Sequence, residues 1–172
     1  RRNQQSDECH PSMLSRWGGN IYIFGNGGIA ATASHMACDF NKGLNFYIDK
    51  KINVISLSDN LPTITAIAND MDYSEIYVFQ LKGKLQKRDV LIPISGSGNS
   101  KNIVKAVEYG KELGCNIIAV TGYDGGAVDK LANYHMHAPI NDMMKAEDIH
   151  MSFDHMIMTT LLDLFAQEKN KK

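Results

Sequence analysis

Cysteine is scarce in this chain, neither sign of charge is in excess, and long apolar runs are missing. Each shortage removes a class of protein. The three cysteines in 172 residues, Cys9, Cys38 and Cys115, are odd in number and widely spaced. That argues against a disulfide framework and for reduced, buried thiols in a cytoplasmic protein. The formal net charge is −1 and the sequence pI is near 6.6. Without a basic surplus there is no electrostatic case for nucleic acid as a partner. No apolar stretch approaches the roughly 18 to 20 residues that cross a bilayer, and no signal-peptide pattern opens the chain, which begins at Arg1, so no membrane is expected as a partner. Linkers, internal repeats and low-complexity segments are absent too. What remains is an ordinary globular composition, 44% hydrophobic and 22% charged, of the size of one domain with a real core.

The stretch D-V-L-I-P-I-S-G-S-G-N-S-K, residues 89–101, is the most informative. An apolar run ends abruptly in a loop of small residues with three hydroxyls, Ser95, Ser97 and Ser100, and a helical pattern follows. Strand, small polar loop and helix N-terminus together present N–H groups and hydroxyls to an anion. Glycine, as at Gly96, lets the backbone approach closely. A phosphate cradle is the first inference.

The rest of the chain repeats the alternation. Strands are expected at 21–24, 54–57, 90–94, 116–120 and 134–138. Helices are expected at 29–40, 62–68, 75–85 (capped by Ser74), 100–113, 127–132 and 146–167. Residues 1–18 read as an N-terminal arm or partial helix, 19–168 as one domain, and 169–172 as a disordered tail. Short Val/Ile-rich strands between helices argue a parallel sheet covered on both faces. In such sheets ligands bind beyond the carboxyl ends of the strands, so the loops 25–28, 58–60, 95–100 and 121–126 should gather at one edge.

The first of these loops, G-N-G-G-I-A, fits the dinucleotide pattern G-x-G-x-x-A formally. The expected ribose-binding acid, Asp59, comes too late and sits in a polar loop, so a tight strand-to-helix turn explains the glycines as well. His35 and Asp39 stand four apart on the next helix and share a face. Such a pair can chelate a metal, orient an imidazole for proton transfer, or form a plain surface hydrogen bond. The last helix carries Glu147, Asp148, His150, Asp154 and His155 among Met151, Met156, Met158, Leu161 and Leu162, methionines that suit a core or a subunit interface. Two helices each offering a histidine and a carboxylate raise the case for a metal or acid–base site. Glu147 and His155, however, lie about 12 Å apart along a helix axis, too far for one ion without a bend or a second subunit. His135 and His137 alternate on a strand and receive no role.

Taken together, G-N-G-G at 25–28, S-G-S-G-N-S at 95–100, T-G-Y-D-G-G at 121–126 and E-D-I-H…H at 147–155 resemble the sugar isomerase (SIS) domain family, closest to the phosphoheptose isomerases. The resemblance spans residues 18–166. It implies an α/β three-layer sandwich, flavodoxin-like, with a five-stranded parallel sheet, assembled as a homotetramer with shared active sites. The implied reaction is aldose–ketose isomerisation of sedoheptulose 7-phosphate to D-glycero-D-manno-heptose 7-phosphate through an enediol, feeding lipopolysaccharide or capsule heptose. By the same resemblance Asn26, Gly27, Gly28, Asn69 and Asp70 line the sugar site, together with Glu147. Ser95, Gly96, Ser97 and Ser100 hold the phosphate. His35, Asp39, Glu147 and His155 match the zinc positions, with Asp39 and His155 as the acid–base pair. The chain departs from the family pattern at Ile29 (usually Ser), Asp39 (usually Glu), Gly96 (commonly Thr) and Glu147 (commonly Gln). The alternative is a non-catalytic SIS protein that binds a phosphosugar or a protein partner, as in the tetramers that bind a replication initiator.

Overall fold

The computed structural model describes residues 18–49 and 51–169. Five strands, β1 (Asn20–Phe24), β2 (Asn53–Ser56), β3 (Val90–Ser95), β4 (Asn116–Thr121) and β5 (Tyr134–His137), form one parallel sheet in the order 2-1-3-4-5. Among the described residues six α-helices accompany them: α1 (Gly28–Cys38), α2 (Leu61–Asp70), α3 (Val78–Leu81), α4 (Lys101–Leu113), α5 (Gly126–Leu131) and α6 (Met143–Lys169).

Strand alternation sorts the core into two layers. Tyr22, Phe24, Leu91, Ile117 and Ala119 face α2 to α5 through Ile67, Val78, Ile103, Val107 and Val128. Ile21, Ile23, Ile92, Ile94 and Val120 face the other way, onto Ala33, Met36 and Phe40 and onto Met158 and Phe165 of α6. This is the expected three-layer sandwich, and it puts α1 and α6 on the same face. Asp89 is fully buried where the strands begin. Its two carboxylate oxygens accept the Asn20 N–H at 2.8 Å and the Gln86 N–H at 2.7 Å, tying β1 to the start of β3.

Several boundaries differ from the sequence reading. The expected helix over 75–85 is broken into a 3-10 turn, Tyr73–Glu75, and the single turn α3. Asp72 rather than Ser74 supplies the cap, accepting the Ser74 N–H at 2.8 Å, because the Ser74 hydroxyl is taken by Lys105 Nζ at 2.7 Å. Helix α1 stops being α-helical at Cys38 and continues as a π segment, Asp39–Gly43. Such widened turns are rare and recur at functional sites. The last helix starts earlier than expected, where Asp142 Oδ1 accepts the Met144 N–H at 3.1 Å, and runs through Lys169. Residues 1–17, which hold nearly all of the expected arm and Cys9, and 170–172 of the expected tail lie outside the described residues. Cys115 is buried as expected. Cys38 is exposed, because it falls on the outer side of α1.

Candidate active site

The order 2-1-3-4-5 reverses direction between β1 and β3, which opens a crevice at the carboxyl ends of those two strands. A cleft of about 290 Å³ lies there, lined by Asn26, Gly27, Gly28 and Ile29 of the first loop, Ser95, Gly96, Ser97 and Ser100 of the second, and Met143 and Glu147 of α6. The phosphate cradle inferred from 89–101 is thus one wall of a real cleft. Ser95 Oγ accepts the Gly98 N–H at 3.1 Å and Ser97 Oγ accepts the Asn99 N–H at 3.2 Å. Both hydroxyl hydrogens are therefore left to donate to an anion. Ser100 precedes α4, and among the described residues its hydroxyl makes no cap bond.

The loop is held from outside. Gly122 N–H donates to Gly96 O at 2.9 Å and Val128 N–H to Gly98 O at 3.0 Å. Gly98 has φ 63°, and a Cβ there would strike the Gly125 carbonyl. The glycine at 96 also has a local reason: the Met143 thioether occupies the space a Cβ would need. Ile29 is buried, its methyl packed over Gly25.

Residues not singled out from sequence position the first loop. The side-chain amides of Asn26 and Asn102 pair reciprocally at 2.7 and 3.0 Å. Tyr73 and Tyr77 hydroxyls donate to Asn26 Oδ1 at 3.3 and 3.2 Å, and Tyr77 also bonds Gly25 O. The available signal was Asn102, a polar residue on the buried face of α4.

Two turns beyond the cleft, α1 and α6 meet again. His35 Nε2 lies 3.3 Å from His155 Nε2, 3.5 Å from Asp39 Oδ2 and 4.0 Å from Asp154 Oδ2. One ligand atom from each of these four residues lies within 4.8 Å of all the others. The expected pairing of His35 and Asp39 with His155 therefore occurs within one chain. Glu147 stands apart from these four in the single chain: it lies over Gly28 in the cleft, 3.2 Å from where a Cβ would sit, while Asp154 lies within the cluster. Residues 147 and 154 share a face of α6 but are about 10 Å apart along its axis. Asp154 is 1% exposed, and its pKa is raised to about 6 by burial and by the neighbouring Asp39 charge. The donor set, two imidazoles and two carboxylates, suits zinc and its neighbours among the divalent ions.

Asn69 and Asp70 do not line the cleft of a single chain. They are exposed at the end of α2, where Asn69 Nδ2 bonds Asp70 Oδ1 at 2.7 Å. His137 is engaged with Thr121 at 2.9 Å and His135 with Asp129 at 3.0 Å. His150 is buried beside Thr121, and burial lowers its pKa.

A parallel sheet with a serine loop at its reversal point, closed by an N–H-rich helix start, is the build of an SIS domain, and the SIS domain model matches residues 12–122. The chain is 36% identical over 151 residues to the phosphoheptose isomerase of Helicobacter pylori, covering 87% of this chain and 78% of that protein. Solved phosphoheptose isomerases superpose on it. That of Neisseria gonorrhoeae does so with TM-score 0.79 at 26% identity, over 89% of this chain and 83% of that one. That of Francisella tularensis does so with TM-score 0.77 at 28% identity, over 91% and 81%. Within the SIS-domain proteins, the chain belongs to the phosphoheptose isomerase family. Among the described residues no helix is long and apolar enough to cross a membrane.

Proposed function

We propose that this chain is an aldose–ketose isomerase that converts sedoheptulose 7-phosphate to D-glycero-D-manno-heptose 7-phosphate in the cytoplasm. The observation that carries the reading is the pairing, along one helix, of two different sites. The start of α1 borders the anion-gripping cleft, and two turns later the same helix offers His35 and Asp39 to His155. A phosphorylated sugar has the same two-ended character.

In this reading Ser95, Ser97 and Ser100 donate to the phosphate beside the backbone of Gly96. Asn26, Gly27, Gly28 and Glu147 meet the sugar hydroxyls. Holding the phosphate fixes C1 and C2 at the far end and spends binding energy on orientation. Asp39 carries the proton between C1 and C2, while His155 exchanges protons with the sugar oxygens as the enediol forms and collapses. His35, Asp39 and His155 are the residues that would hold zinc, with the second Asp39 oxygen left for proton transfer. Zinc, when bound, supplies the polarisation of the carbonyl oxygen that a His155 N–H supplies without it.

The working form in this proposal is a homotetramer with sites between subunits. Asn69 and Asp70, exposed and outside the single-chain cleft, reach substrate from a neighbouring copy. The exposed Met144 and Met156 of α6 and Phe46 offer apolar surface for that assembly.

Incubation with sedoheptulose 7-phosphate, followed by NMR of the aldoheptose product with and without a chelator, tests the assignment. Turnover is expected. No product in either condition, with phosphate binding intact, leaves a phosphosugar-binding protein instead.

A further inference from the structure

We propose that Met143 is a substrate-contacting residue: the apolar wall of the cleft, packing on the carbon that carries the phosphate, in a seat that exists because residue 96 has no side chain. This rests on the phosphosugar reading above and adds a residue that has no role in it.

Exposure singles Met143 out. Among the described residues that line the cleft, three side chains are apolar: Ile29, Ile94 and Met143. The two isoleucines are buried, whereas Met143 is 40% exposed. It is therefore the apolar side chain that a ligand in the cleft can reach. The serine hydroxyls beside it donate to the oxygens of an anion. A thioether has no hydrogen to donate, and its sulfur is a weak acceptor. Next to a phosphate ester, the part it covers favourably is the C–H surface of the adjoining carbon.

The seat is specific. A Cβ at residue 96 would lie 2.5 Å from Met143 Sδ and 2.9 Å from Met143 Cε, so the thioether rests directly on bare backbone. The next atom is Tyr123 Cε2 at 3.8 Å, which closes that side. Gly98 needs glycine for its positive φ, but Gly96 is not among the described glycines with positive φ. What glycine provides at 96 is room, and Met143 occupies it.

The backbone on either side of this contact is anchored. Asp142 Oδ1 accepts the Met144 and Lys145 N–H groups at 3.1 and 3.4 Å, which pins the start of α6. Tyr123 N–H donates to Ile140 O at 3.2 Å and Gly122 N–H to Gly96 O at 2.9 Å, which ties that start to the serine loop. Only the side chain is free to move, and methionine is unbranched and readily rotated. A methyl group at 96 therefore turns the thioether out of its seat, away from Tyr123 and into the cleft, while the fold stays as it is. The width left for a ligand beside the serine loop depends on where the Met143 side chain sits.

The test is calorimetric titration of the full chain with sedoheptulose 7-phosphate and, separately, with inorganic phosphate, beside thermal unfolding. Met143→Ala is expected to weaken sedoheptulose 7-phosphate at least about fivefold, each methylene-sized contact being worth about fourfold, and to leave inorganic phosphate within about twofold. Met143→Leu, close in volume, is expected to recover most of the lost affinity. Gly96→Ala is expected to keep Tm within about 2 °C and to weaken the sugar phosphate at least about fivefold. The two losses should not multiply: the double variant Gly96→Ala/Met143→Ala is expected to bind no worse than Met143→Ala alone. Parent-like sugar-phosphate affinity in Met143→Ala overturns the proposal, and so do losses that multiply in the double variant. An equal loss of both ligands, with a lower Tm, marks a structural role and overturns it too. Each of these leaves the phosphosugar reading standing. A parent that binds inorganic phosphate and gains nothing from the sugar overturns that reading and this proposal together.

Discussion

Replacing His155 by glutamine separates the chemistry of the centre from its scaffolding. The imidazole is exposed on α6 and reaches His35 Nε2 at 3.3 Å, while its backbone carbonyl accepts the Thr159 hydroxyl whatever the side chain. Glutamine keeps a polar group of similar reach and removes the titratable ring. General acid–base catalysis by a positioned group contributes about 10²- to 10⁴-fold. That range corresponds to ~3–5 kcal/mol of barrier at 1.36 kcal/mol per decade. The loss should fall on kcat. The phosphate grip at Ser95, Ser97 and Ser100 belongs to the cleft where Glu147 stands, about 12 Å along α6 from residue 155. KM should therefore change by less than about threefold, since the phosphate grip is untouched. An exposed substitution of this kind shifts stability by about 0.5 kcal/mol or less. The assay is steady-state turnover by NMR beside thermal unfolding and native mass. Near-normal kcat in the His155→Gln variant removes His155 from the mechanism. A lower kcat accompanied by a large fall in Tm or loss of assembly refutes the catalytic role in favour of a structural one.

Two further outcomes follow from the same geometry. Gly98→Ala puts a Cβ onto the Gly125 carbonyl at φ 63°, so the serine loop and the 121–126 loop must separate. Left-handed strain alone costs ~1–2 kcal/mol, and with the clash a Tm drop of at least about 4 °C is expected, along with weaker phosphate binding by calorimetry; an unchanged Tm would show that the loop relaxes freely. His150 is buried, and burial holds its pKa below 6.5. The unfolded chain then takes up the proton first, so this contribution to stability is present above the unfolded pKa and is lost as pH falls through it. Metal-free protein should show a falling Tm between about pH 7 and pH 5, and His150→Met should flatten that decline; an identical slope in the variant argues against it.

The strand–loop–helix order could be read locally because each signal is local. Val/Ile runs of four to six residues, glycines where the backbone turns back, and Asn60 and Gly114 at helix ends act over one or two turns. The broken helix at 73–81 could not: there Ser74, the expected cap, is held by Lys105 of α4 from 31 residues away, and Asp72 caps the 3-10 turn instead. Asn102 stood out only as a polar residue on the buried face of α4; what it positions was not legible, since its partner Asn26 lies 76 residues earlier.

The division is sharpest in the last helix. Its residues alone established that histidines and carboxylates were present at 147, 148, 150, 154 and 155, and that Glu147 and His155 were too far apart for one ion. Which of them would share a centre with His35 and Asp39 was undetermined. A 27-residue helix studded with methionine and leucine on several sides has no single apolar stripe to fix its rotation. Packing of Met158 and Phe165 against α1 and the sheet fixed both the rotation and the height of α6, which brought Asp154 beside His35 and left Glu147, two turns earlier, over the cleft. Local sequence determines which groups a helix carries. The partner it packs against determines which of them meet.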